Sequence, residues 1–193
     1  MKKMYLFFFL FISSIGIYAQ HITPEPLRTD AERLSLAYEV LMKNKLATNS
    51  QLLYLQRFPK TKDDFVAIFD PDDGKQLHKV SHQYIEAFKE IAFNFPDSVL
   101  RIGLGISKQM KWATGPSEDL QQSILEVGAS HPESFVNEIY LLKKKEIAPA
   151  VSYLADVEQN PLCSLYKDLI KNLQDIGAYN ISGRLVRAKG QSH

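Results

Sequence analysis

The chain reads as all-α, a set of helical hairpins either stacked as a short solenoid-like array or gathered into an irregular bundle. Apolar residues recur three and four positions apart along most of it. Leu162, Leu165, Tyr166, Leu169, Ile170, Leu173 and Ile176 are the clearest run, and that spacing lines one face of a helix rather than the alternating faces of a strand. A phrase built on proline, charge and hydroxyl also returns three times, as "RFPKTKDDF", "NFPDSVLRI" and "SHPESFVNE". Its prolines, Pro59, Pro96 and Pro132, are 37 and 36 residues apart, and "QNPLCSLYK" offers a related junction at Pro161. Self-similarity at such intervals marks stacked supersecondary units, none able to bury its apolar face alone.

The first segment stands apart from the rest. "MKKMYLFFFLFISSIGIYAQ" has two lysines, a chargeless run from Met4 to Ile17, and the small residue Ala19 where a signal peptidase cuts. That order is the grammar of a secretory signal peptide. The run is shorter than the ~20 residues of a spanning helix and is broken by Ser13, Ser14 and Gly16. Residues 1–19 are therefore expected to be cleaved between Ala19 and Gln20, and no cysteine near the site offers a lipid anchor. The expected organisation is a signal peptide (1–19), a helical domain (20–177) and a basic C-terminal tail (178–193).

Within the domain, proline explains the joints. It lacks the amide hydrogen that a helix interior needs and pushes the preceding residue toward extended geometry. In a first turn, however, its fixed φ is favourable. Each phrase should end one helix and begin the next, with Phe58 and Phe95 tucked under the turns. Thr61 with Asp64, and Ser130 with Glu133, have capping-box spacing. Leu77, Val80, Tyr84, Phe88 and Ile91 predict a long amphipathic helix, and Val99, Leu100, Leu104 and Met110 another. "GLG" at Gly103 to Gly105 points to close helix packing. Lys143 to Lys145 are expected to close a helix, where positive charge suits the dipole. Val151, Leu154 and Val157 in "PAVSYLADVEQ" mark a helix ahead of Pro161, and Gly177 ends the helix behind it. "TGPS" and "DPDDG" are further joints. "YNISGRLVRA" alternates like a strand and is expected to be a loosely attached tail carrying Arg184, Arg187 and Lys189.

The stretch "YLQRFPKTKDDFVAIFD" (Tyr54 to Asp70), with "HQYIEAF" in the helix that follows, resembles a family of uncharacterised exported helical proteins of Gram-negative bacteria. Its members carry a Phe-Pro pair followed by Phe and a turn. Where they often have an aromatic and a glycine, this chain has "FDPDDG". The resemblance covers about a third of the chain beyond the signal segment. It implies an exported helical domain of HEAT-like type and supplies no catalytic residues.

Composition narrows the function. With 193 residues, 45% apolar and 23% charged, the chain can build one sizeable core. It has 23 basic and 22 acidic residues; loss of Lys2 and Lys3 would turn its net charge of +1 into about −1. That balance offers no dense positive surface for nucleic acid. The lone Cys163 cannot form an internal disulfide and reads as a small buried hydrophobe. No nucleophile elbow, phosphate loop or cysteine pair occurs. His78 and His82 in "HKVSH" stand four apart, a spacing that can chelate zinc with Asp70, Asp72 or Asp73. They lack the glutamate of a zinc-protease helix. "DPDDG" has a calcium-loop opening without the closing glutamate. Trp112 is a candidate partner anchor, and the lysine run and basic tail suit a membrane surface.

The expectation drawn from all this is an exported soluble protein-interaction or scaffold domain, periplasmic or secreted, that contacts another protein. No catalytic, cofactor or metal residue is assigned. The rival expectation is a metal-binding protein or metal-dependent enzyme using His78 and His82.

Overall fold

The computed structural model describes residues 28–69, 77–110, 115–157 and 162–189. The segment read as a signal peptide, with Ala19 and Gln20, lies outside the described residues, as do the "DPDDG" turn, Trp112 and Pro161. The described residues form helices and no strand.

Helix α1 (Asp30–Lys43) opens on a capping box. Thr29 Oγ1 accepts the Glu32 amide at 3.2 Å, and the Glu32 carboxylate accepts the Thr29 amide at 2.8 Å. Such a cap typically contributes ~1 kcal/mol. The helix packs along α2 (Thr48–Arg57). The first Phe-Pro joint then leads to α3 (Lys62–Phe69), where Thr61 accepts the Asp64 amide at 3.2 Å and donates to its carboxylate at 2.8 Å.

Aromatic rings tie this first portion to α4 (Ser81–Glu90), which follows a 3-10 turn over His78–Val80. Phe58 lies flat on Phe88 with centroids 4.1 Å apart, and Tyr38 stacks on Tyr84 at 4.4 Å. Such pairs add about 0.5–1.5 kcal/mol beyond their area. The Tyr54 phenol, fully enclosed, donates to the Tyr84 carbonyl at 2.7 Å, which meets the need of a buried hydroxyl for a partner.

A second 3-10 turn, Ile91–Phe93, leads into α5 (Pro96–Ser107). After it come α6 (Pro116–Ser130) and α7 (Pro132–Leu141). Pro96, Pro116 and Pro132 each occupy the first helical position, as their missing donors allow. The hairpins α4–α5 and α6–α7 stack directly, α6 on α4 and α7 on α5, and α9 (Leu162–Asp175) continues the row on the far side of α6. Glycines permit the approach. A Cβ on Gly103 would stand 2.7 Å from Ile124 Cγ1, and one on Gly128 would stand 2.8 Å from Phe135 Cδ2.

Several expectations need correction. Ser130 is the last residue of α6, and His131 serves as C-cap of α6 and N-cap of α7 without a side-chain bond, so Ser130 and Glu133 form no capping box. Lys143 to Lys145 do not close a helix. Lys143 is the N-cap of α8 (Lys144–Ala155), which begins five residues before Pro149 and holds that proline inside. Pro149 is exposed, so water can satisfy the carbonyl its ring leaves unpaired. Finally, "YNISGRLVRA" is neither strand-like nor loose. It forms α10 (Tyr179–Lys189), packed on α8 and α9 with Ile181 and Leu185 buried. Its fully buried apolar side chains are those two, four apart, with the small Ala188 partly buried beside them, too weak a stripe to outweigh an apparent alternation.

Candidate functional site

His78 and His82 begin as the candidate metal ligands, and the fold holds each to a different element. His78 Nδ1 lies 2.9 Å from the Phe69 carbonyl at the end of α3. His82 Nδ1 lies 3.2 Å from Asp119 Oδ1 on α6, with its ring 74% exposed. Among the described residues no three His, Cys, Asp or Glu side chains come together as a metal site; Asp70, Asp72 and Asp73 lie outside those residues. The space beside His82, bounded by Glu86, Lys89 and Asp119, is about 10 Å³, room for one water at most.

What His82 does join is a ladder of polar contacts with a single register. His82 meets Asp119, and Arg101 meets Glu138, each 37 positions on. Lys89 meets Glu126 at 2.7 Å at the same offset, and also holds Glu86 at 2.8 Å. The Arg101–Glu138 pair is bidentate, at 2.9 and 2.7 Å, and its carboxylate is only 3% exposed. Burial opposes charge on Lys89 and Glu126, but their mutual bond, with help from Glu86 and Gln122, prevails. The Lys89 pKa is raised and the Glu126 pKa lowered. These pairs fasten one hairpin to the next in parallel register, and their offset of 37 is within one residue of the 36 that separates Pro96 from Pro132. The sequence reading missed them, because residues 37 positions apart meet only once the hairpins are stacked in register.

Among the described residues, two grooves flank the stack. One runs between α1 and α2, about 150 Å³, floored by Leu36, Val40 and Leu53 and lined by Arg28, Arg33 and Arg57. Leu36 and Val40 are 38% and 40% exposed, one turn apart on the outer face of α1. The other, about 180 Å³, lies between α8 and α10. Both fall short of the ~300–1,000 Å³ typical of small-molecule pockets and suit side chains from a partner surface better. Cys163, expected to be buried, is half-buried and accepts a hydrogen bond from Lys189 Nζ at 3.2 Å, while that ammonium lies 5.7 Å from the Tyr166 ring centre. Elsewhere, burial lowers the Lys60 pKa to about 8, with the ammonium donating to the Leu55 carbonyl.

No protein-family model, curated protein or solved structure matches this chain.

Proposed function

We propose that this is an exported helical interaction domain, periplasmic or secreted, that docks a partner protein along the groove between α1 and α2. The observation behind it is the outward stripe of Leu36 and Val40 on the first helix, beside Leu53. End units of a helical stack need a polar outer face to stay soluble, so an apolar stripe at an end marks a place for a partner. Arg57 at the rim, with Arg33 bridging only loosely to Asp30 at 3.6 Å, favours a partner segment that alternates carboxylates with apolar side chains, the carboxylates meeting guanidinium groups while the apolar residues fill the floor.

A photo-crosslinking phenylalanine analogue at Leu36 tests this in the native host. One protein captured there, and lost when Val40→Asp or Arg57→Glu is introduced, supports the reading. Equal capture by the same probe at the exposed Glu133 would overturn it. The rival reading has one favourable feature: both histidines make their contacts through Nδ1, and Nε2 meets no hydrogen-bond partner among the described residues. Stoichiometric zinc in the purified protein, absent from His82→Ala, would put metal chemistry in its place.

A further inference from the structure

The fold brings together two basic runs that lie some forty positions apart in the chain. Arg184 and Arg187 of α10 lie along a groove whose other wall is Ile147, Ala148, Val151 and Ser152 of α8. Lys143, Lys144 and Lys145 are on the turn of α8 that leads into Ile147, about 5 Å along the axis. All five cations are exposed. Among the described residues Lys144, Lys145, Arg184 and Arg187 form no ion pair with a carboxylate, while the amide bond from Lys143, and after it the charge of Lys143, help to lower the Glu146 pKa. Glu146, the acid in their midst, accepts the Lys143 amide at 3.0 Å and pairs with Lys108 of α5 at 3.2 Å. Beside the lysines, at the end of α7, Tyr140 and Leu141 are 55% and 68% exposed, and Val186 on α10 is 53% exposed.

We infer that this end of the stack seats on an anionic phospholipid bilayer. Clustered cations, four of them without an ion pair among the described residues, set around exposed tyrosine and aliphatic side chains, match the two layers of such a surface. Lysine and arginine meet the phosphate groups, and Tyr140, Leu141 and Val186 enter the boundary beneath, where amphipathic rings reside. The apolar floor of Ile147 and Val151 under two guanidinium groups accommodates a phosphate with the first carbons of its lipid. A purely acidic polypeptide would satisfy the cations but leave the outward Tyr140 and Leu141 without a counterpart, whereas a bilayer offers both layers along one plane. No helix among the described residues is long and apolar enough to cross a membrane, so the contact is peripheral. It is separate from the α1–α2 groove and stands or falls independently of it.

The test is co-sedimentation of the chain from Gln20 onward, since residues 1–19 would bind lipid through their own apolar run. Vesicles of phosphatidylcholine with phosphatidylglycerol are compared with phosphatidylcholine alone. Binding to the anionic vesicles only, weakened by salt, is the expected result. Arg184→Glu with Arg187→Glu should weaken it roughly tenfold or more. Lys144→Glu with Lys145→Glu, at exposed positions of another helix, should do the same even if the α10 variant folds poorly. Equal binding to both vesicle types would overturn the inference, as would no binding to either. Retention by an acidic polypeptide column without vesicle binding would overturn it too and assign the cations to a protein partner. Val40→Asp should leave vesicle binding unchanged, which separates this result from that of the α1–α2 groove.

Discussion

A methyl group added at Gly128 meets the buried Phe135 ring at 2.8 Å and Leu169 Cδ1 at 3.2 Å. The ring is held between helices and cannot yield, so the overpacking cost of about 1–3 kcal/mol exceeds the ~1 kcal/mol that alanine gains over glycine in a helix. Gly128→Ala should therefore lower stability by about 1–2 kcal/mol in urea unfolding. Gly183 sets the contrast. Its nearest neighbour would be the Arg187 guanidinium at 3.5 Å, an ordinary contact at the end of a flexible chain. Gly183→Ala should raise stability by about 0.5–1 kcal/mol. An unfolding midpoint that rises for Gly128→Ala would mean that α6 and α7 are less closely set than described. The "GLG" reading anticipated this kind of contact at Gly103; Gly128 escaped it because one glycine in "EVGAS" looks like any other.

The hairpins are joined by charge as well as by packing, and the charges fix how stability depends on pH. Glu126 has a folded pKa below its ordinary 4.5. Its contribution is therefore present above about 4.5 and disappears as pH falls through the lower folded value. Lys89 has a folded pKa above 10.5, so its contribution is complete below 10.5 and is lost as pH rises through the folded value. Glu126→Gln should be less stable than the parent near neutrality, and the difference should shrink toward zero in acid as the parent carboxylate protonates. Urea unfolding at a series of pH values measures this, and a gap that persists unchanged in acid would show that the α4–α6 pair is not the cause. The joints at Pro96 and Pro132 were legible because proline acts locally on its own backbone. The start of α8 was not, because an exposed proline can sit inside a helix when water serves the freed carbonyl. The ladder partners were unreadable for a different reason: their meeting depends on α4 lying parallel to α6, and no local pattern states that.

One apolar core runs from Leu34 on α1 to Leu185 on α10, so both ends of the described residues contribute to a single packed body. The largest departure from the sequence reading, a helix where a loose tail was expected, lies at the second of those ends. Burying Ile181 and Leu185 contributes about 1.5–3 kcal/mol each. The Tyr166 phenol also depends on α10, since it donates to the Leu185 carbonyl at 2.6 Å, and burial raises its pKa well above 10. Removing everything after Gly177 would expose the facing sides of α8 and α9 and strip that hydroxyl of its acceptor. The loss is a large part of the 5–15 kcal/mol that typically holds a domain folded, so the truncated chain should aggregate or unfold at a much lower urea midpoint. Leu185→Ala is the milder version and should cost about 2–5 kcal/mol. A truncated chain with an unchanged midpoint would return α10 to the status of a tail. The same dependence decides how lipid contact must be probed: a chain without α10 loses its arginines and its packing together, whereas reversing exposed charges alters the surface and leaves the core in place.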